Sequence, residues 1–323
     1  MKQNIFLGLA ATALVLTGCA TQRETMPFEV AEQTYVHKYG TTVPSHDWAS
    51  RGEHGKIISK LNNGVTVTNN YVSGVLDGDS VYTFPHSEIV EHVETYAQGN
   101  LVKNVTFYPH GTPYEETIYN PDFSRNFSIW YENGSPKGTE IYDEAGLLVN
   151  AEYFDPNHKR DSWVSNGEGA RIVRDQYGQI LSKDSIKDGL MTVRTTFHQN
   201  GIPKGVFPFR NGVIEGELKT FHPGGEPSAV EQWVGGKQNG LTIVYQNGEK
   251  YAEILYVDGV KTGVERHFRD GQVVVEEITW AADRKHGPST KYIGSTTKID
   301  WYFQGKPVSK GNFEAMGGAL IGS

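Results

Sequence analysis

The feature that most constrains the fold of this chain is a repeated spacing of glycines. In the C-terminal half, turn glycines follow one another at steps of 11 to 13 residues, with one doubled step of 23. Many are preceded three positions earlier by an aromatic residue, as in Tyr245–Gly248. Such a step fits one strand plus a tight turn, and two steps make a β-hairpin. The clearest turn glycines are Gly201, Gly212, Gly236, Gly248, Gly259 and Gly271.

This repeat predicts an all-β fold, an elongated antiparallel array of β-hairpins in one twisted layer. Because a single hairpin cannot bury its own face, the hairpins must stack side by side. Open sheets seldom exceed about 10 strands without curling or splitting, and the segment 65–311 has room for about 20. The rhythm also fails between Gly146 and Gly178. We therefore expect the array to be broken into two segments, with a kink or loop between them.

The only cysteine of the chain, Cys19, follows an apolar run that is typical of a secretion signal. Lys2 precedes the apolar stretch 5–16, which is too short to span a bilayer as a helix. The tetrapeptide LTGC, Leu16–Cys19, resembles the lipobox of bacterial lipoproteins, in which the cysteine is acylated. The resemblance implies an N-terminal lipid anchor on Cys19 and, with alanine next, an outer-membrane protein that faces the periplasm or the cell surface. A cleaved signal peptide with an incidental cysteine is the alternative.

The hairpin unit resembles the MORN repeat, in the variant found in bacterial proteins that are similar to antitoxin components. The match is clearest in VYQNGEKYAEILYVDGVKTG, Val244–Gly263, covers 178–305 well and extends more loosely over 78–146. The resemblance implies a MORN-like single-layer scaffold, and a toxin-neutralising role is one functional alternative. Because an exported protein would not meet a cytoplasmic toxin, we favour a protein-binding or scaffolding surface in the cell envelope.

These patterns divide the chain into six parts. They are a lipoprotein signal peptide (1–18), a tether and irregular cap (19–64), a first repeat segment (65–150), an irregular connection (151–177), a second repeat segment (178–311) and a flexible tail (312–323).

The sequence favours a non-enzymatic protein without cofactors. A formal charge of −8 with no basic stripe argues against a nucleic-acid partner. His198 and His222 occupy the aromatic position of the repeat, so we interpret them as structural and predict no metal site. The sequence has no GxSxG nucleophile elbow, Walker loop or HExxH motif. A cell-envelope enzyme or a polysaccharide-binding protein, with its site in the irregular segments, is the alternative.

The repeated aromatic residues of the second segment are the candidate binding surface. On a single layer they predict an apolar stripe that either packs internally or binds a protein or polysaccharide. The sequence identifies neither the partner nor the oligomeric state. The candidate residues are Trp233, Tyr245, Tyr256, Phe268, Trp280, Trp301 and Tyr302.

Overall fold

The computed structural model describes residues 29–318, and these form one long, open antiparallel sheet. Strands make up 64% and helices 4%, and the sheet contains 28 strands. The predicted all-β array is confirmed. The predicted signal peptide, Cys19 and the last residues of the predicted tail, 319–323, lie outside the described residues.

The strands follow one another along the sheet in chain order, except that β1 lies between β2 and β3. The N-terminal part contains β1 (Val30–His37), β2 (Thr42–Val43), helix α1 (Ser45–Trp48), a 3-10 turn (Ala49–Arg51), β3 (Gly55–Leu61), β4 (Thr66–Val72), β5 (Val75–Leu76), β6 (Gly78–Thr83), β7 (Val90–Ala97), β8 (Asn100–Phe107), β9 (Pro113–Tyr119) and β10 (Arg125–Trp130). The central part contains β11 (Pro136–Tyr142), β12 (Leu148–Phe154), β13 (Arg160–Ser165), β14 (Glu168–Arg174), β15 (Ile180–Lys187), β16 (Leu190–Phe197), β17 (Pro203–Arg210), β18 (Val213–Ile214) and β19 (Gly216–Phe221). The C-terminal part contains β20 (Pro227–Val234), β21 (Lys237–Gln238), β22 (Gly240–Gln246), β23 (Glu249–Val257), β24 (Val260–Arg269), β25 (Val273–Ala281), β26 (Arg284–Ile293), β27 (Thr296–Phe303), β28 (Lys306–Val308) and helix α2 (Lys310–Ala315).

The strand register separates the side chains into two faces. Residues that pair directly across antiparallel strands share a face, so each face can be followed along the array. With two exceptions, Val105 and Thr279, the buried strand side chains fall on the face that carries Asp184 and Glu265, which we call the inner face. The principal contacts of the described residues are those between neighbouring strands. Burial within one layer therefore results from the coiling of the sheet toward the inner face.

Successive turns lie on opposite edges of the sheet, and each edge has its own way of joining repeats. On the first edge, turn N–H groups donate to a carbonyl of the preceding turn on that edge: Gly236 to Ile214 at 3.0 Å and Gly259 to Gln238 at 2.7 Å. A second glycine follows four residues after the turn glycine, as Gly240 follows Gly236. It has a positive φ and pairs with the aromatic residue of the next repeat, which for Gly240 is Tyr256. This explains why alternate turns carry two glycines.

On the second edge, side chains make the equivalent link. The Tyr131 hydroxyl donates to Phe154 O at 2.9 Å, and the Tyr108 hydroxyl donates to Trp130 O at 3.2 Å. His198 replaces tyrosine in this role, because its Nε2 lies 3.0 Å from Phe221 O, a carbonyl that accepts the ring N–H. The histidine at this repeat position therefore has a structural role.

Strands cross the segment 151–177, for which the sequence predicts an irregular connection. β13 and β14 lie there within the same sheet, so the predicted break into two segments is wrong. The rhythm of glycines is lost because His158 takes a φ of +64° in place of glycine. The next step, to Gly167, then shortens to 9 residues.

The sheet does bend sharply at these strands. The Leu148 N–H donates to Gly189 O at 3.1 Å, although three strand steps separate β12 from β15, or about 14 Å in a flat sheet. The Gly189 N–H in turn donates to Gly167 O at 3.0 Å. Three turns of the first edge are therefore drawn together. The inside of the bend holds the buried cluster Leu148, Ala151, Tyr153, Val164 and Ile186.

Both ends of the sheet are more ordered than the sequence predicts. The predicted irregular cap, 19–64, contributes β1 and β3 to the sheet, and only 38–54 between them is largely irregular. The predicted flexible tail begins inside α2, whose Phe313 is 1% exposed and packs on Trp301 with ring centroids 5.2 Å apart. Within residues 29–318, no helix is both long and apolar enough to cross a membrane.

Candidate functional site

The seven candidate aromatic residues do not form one stripe. All are half-buried, but the register places them in separate groups. Trp233, Tyr256, Trp280 and Tyr302 lie on the inner face at the first edge. Tyr245 and Phe268 lie on the outer face at the second edge, and Trp301 lies on the outer face beneath α2. The stripe is split because successive turns alternate between edges and because neighbouring residues such as Trp301 and Tyr302 point to opposite faces.

The inner group at the first edge is a row of rings interleaved with lysines. Lys261 Nζ lies 4.1 Å from the ring centroid of Trp280, and Lys285 Nζ lies 5.2 Å from that of Tyr302. Such cation–π contacts are worth about 0.5–2 kcal/mol. This row stabilises the stacking of one repeat on the next and presents little free surface.

Inner-face carboxylates pair with the ring two residues later on the same strand. Glu94 accepts from the Tyr96 hydroxyl at 3.0 Å, and Glu231 accepts from Trp233 Nε1 at 2.8 Å. Glu265 contacts His267 Nε2 at 2.7 Å. In each pair the side chains share a face, since residues two apart on a strand point the same way.

A buried charged cluster lies on the inner face at the bend. Asp184, 0% exposed, accepts from Arg194 Nε at 2.8 Å and from Arg171 Nε at 3.0 Å. Glu140, also buried, lies 3.7 Å from Arg171 Nη1 and accepts from the Tyr153 hydroxyl at 2.6 Å. The two carboxylates and two guanidinium groups balance in charge. This cluster is built to satisfy buried charge rather than to react.

The pKa values of two groups in this cluster, Tyr142 and Arg171, are raised in the folded protein. Burial, reinforced by Glu140, raises the pKa of Tyr142 to about 12. Burial alone would lower the pKa of Arg171, but Glu140 and Asp184 raise it overall. Both groups therefore keep their usual protonation states at neutral pH.

A cleft of about 500 Å3 opens on the outer face over β11, β12 and β13. Its platform is Trp163, which is 54% exposed and is the only exposed one of the six tryptophans, all of which lie in the described residues. Arg160 lies beside it, with Cζ 5.1 Å from the ring centroid and Nη1 2.7 Å from Glu152 Oε1. The lining includes Thr139, Ile141, Asn150, Glu152, Arg160 and Trp163.

Sequence reasoning missed both the charged cluster and the cleft. Trp163 lies outside the phase of the repeated aromatics, and that deviation is the one signal that marks it. The sequence does not indicate that Asp184 contacts Arg171 and Arg194, because these residues are brought together only by the pairing of neighbouring strands. Among residues 29–318, no group of three His, Cys, Asp or Glu side chains is arranged to hold a metal ion.

Comparison with known proteins gives no family. No family model matches the chain, and no curated protein matches it. Among solved structures, a Photorhabdus luminescens Tc holotoxin pore with a mutation in TccC3 shares 11% identity, with a TM-score of 0.17, over 84% of this chain and 15% of that one. A crystal structure of TcdB2–TccC3 shares 11% identity, with a TM-score of 0.17, over 84% of this chain and 16% of that one. The chain thus spans about a sixth of the length of these proteins.

Proposed function

We propose that this protein is a lipid-anchored scaffold of the bacterial cell envelope, a MORN-like array that binds a protein partner without catalysing a reaction. The observation that carries the proposal is the single-layer sheet, whose buried side chains lie almost entirely on the inner face, so that the outer face is left open except beneath α2 at the C-terminal end. Repeat proteins bind partners through extended surfaces that span several repeats.

The outer face offers apolar anchors at which a partner would dock. Leu241 and Leu255 pair directly across β22 and β23 and are 42% and 37% exposed. Exposed apolar pairs on a rigid sheet are typical of contact surfaces, because their burial against a partner costs little conformational entropy. The membrane is reached through the lipid predicted on Cys19.

Photo-cross-linking in intact cells tests the scaffold. A photoreactive amino acid at Leu241 or Leu255 is expected to capture one specific protein, whereas the same group at Tyr251, 41% exposed on the inner face, is expected to capture none. Equal capture from both faces, or from neither, contradicts the proposal. Labelled palmitate tests the anchor separately: Cys19→Ser is expected to abolish incorporation and release the protein from the membrane fraction.

A further inference from the structure

The cleft on the outer face at β11–β13 combines an exposed indole with polar side chains. The alternation of β13 places Ser162 and Val164 inside, at 6% and 3% exposure, and leaves Trp163 outside. The indole of Trp163 is therefore presented on the outer face, among the polar side chains of the cleft.

The strand that carries Trp163 packs closely against the next strand. A Cβ added to Gly169 would lie 2.2 Å from Trp163 O, so the backbones of β13 and β14 approach closely behind the indole. Arg160 is fixed by its ion pair with Glu152 and lies beside the ring. Asn150 is fixed by accepting the Asn166 N–H at 3.2 Å. A ligand would therefore meet preorganised groups, which lowers the entropic cost of binding.

The chemistry of the lining defines the ligand. Glu152 and Arg160 are the only charged groups of the lining in the described structure, and they neutralise each other. An uncharged ligand is favoured over a phosphate or a nucleic acid. The amide of Asn150 and the Glu152–Arg160 pair both donate and accept hydrogen bonds, which suits a ligand rich in hydroxyl groups. The volume falls in the range of small-ligand sites, about 300–1,000 Å3, and is small beside a protein interface.

We propose that this cleft binds a neutral carbohydrate, whose apolar C–H face stacks on Trp163 while its hydroxyl groups bond to Asn150, Glu152 and Arg160. The site lies on the same face as the Leu241–Leu255 pair proposed above but on other strands, and it depends neither on that partner nor on the lipid anchor.

The test is a titration of the whole purified chain with three neutral tetrasaccharides, those of β-1,4-linked N-acetylglucosamine, β-1,4-linked glucose and α-1,4-linked glucose. With ¹⁵N-labelled indoles, six N–H signals are followed by NMR, and Trp163→Phe assigns that of Trp163. We expect at least one sugar to shift the Trp163 signal. We expect Trp163→Ala to weaken binding at least about tenfold and Trp163→Phe to weaken it less. Leu181→Ala, which removes another exposed outer-face side chain (48%), is expected to change nothing.

Three results would overturn the inference. One is the absence of any shift at about 10 mM of every sugar, well above the dissociation constant of even a weak site. Another is binding that Trp163→Ala leaves unchanged. The third is loss of a cross-linked protein partner on Trp163→Ala while no sugar binds, which would make the cleft part of the protein interface.

Discussion

At the scale of single residues, the inner face holds charged groups out of water beside partners of opposite charge. Asp184 is completely buried between Arg171 and Arg194. The pattern of turn glycines in the sequence does not indicate this burial. Such a cluster contributes little when intact but is costly to break, because the remaining charges are left buried and unpaired.

Asp184→Asn is therefore expected to lower the free energy of unfolding by about 3–5 kcal/mol, since it keeps the shape but removes the counter-charge of Arg194 and leaves Arg171 with Glu140 alone. Asp300→Asn is the matched control, because Asp300 makes an exposed ion pair with Lys298 at 3.1 Å. That change is expected to cost less than about 1 kcal/mol. Urea denaturation of both variants measures the difference, and equal losses would contradict the assigned role of the cluster.

Glu265 gives the sheet a defined sensitivity to acid. Burial alone would raise its pKa, but hydrogen bonds and charge from His267 and Lys261 lower it to about 2. A carboxylate whose pKa is lowered in the folded state stabilises the fold above its ordinary pKa of 4.5 and loses that contribution as pH falls toward 2.

Glu265→Gln is expected to be less stable than the wild type by on the order of 2 kcal/mol at neutral pH. The gap should close as the pH falls from about 4.5 to about 2, because the wild-type group then becomes protonated. Thermal unfolding of both proteins across this range measures the gap. A constant gap at all pH values would show that packing, and not charge, is what Glu265 provides.

At the scale of elements, the paired glycines of the first edge set how hairpins meet. Gly240 has a φ of +125°, and an added Cβ would lie 2.8 Å from the Cβ of Gln232. Gly248, at the opposite edge, has a φ of +80° with nothing within 4 Å of an added Cβ.

Gly248→Ala is expected to cost about 1 kcal/mol, the strain of positive φ alone. Gly240→Ala adds a steric clash and is expected to cost about 2–3 kcal/mol. The midpoint of urea denaturation measures both. If Gly248→Ala is as damaging as Gly240→Ala, the contact with Gln232 is not what demands the second glycine.

The repeat made the all-β array predictable because turn glycines and strand-end aromatics are local features. The strands of 151–177 were not predictable in this way, since His158 stands where a glycine is expected and the next step shortens. Which side chains point to the inner face was harder still to predict. Polar inner residues such as Ser59 and Ser182 hide the alternation that would mark a strand. The cleft arises from cross-strand neighbours of Trp163, and the sequence alone does not show which residues those are.

At the scale of the whole molecule, the two ends of the sheet differ. At the C-terminal end, Phe313 of α2 covers Trp301, Phe303 and His286, with ring centroids 5.2 to 6.1 Å apart. This contact closes the last hairpin with apolar packing that the short strand β28 does not supply.

Phe313→Ala is expected to destabilise this end by about 3–5 kcal/mol, whereas Met316→Ala, at an exposed position on the same segment, should stay within about 0.5 kcal/mol of the wild type. Hydrogen exchange locates the effect. Faster exchange is expected in β26–β28 and unchanged exchange in β3–β8, because each repeat contacts mainly its neighbours. Uniform acceleration over the whole sheet would contradict this independence.

The strand order also fixes how the molecule responds to force. β1, flanked by the short strand β2, lies at one end of the sheet and β28 at the other. Tension between these ends runs from strand to strand, along the backbone hydrogen bonds, and loads them a few at a time. Strands would peel off singly, each step of 11 or 12 residues releasing roughly 40 Å of chain. A protein tethered at its N-terminal side and held by a partner farther along would thus act as an extensible link that yields stepwise under load.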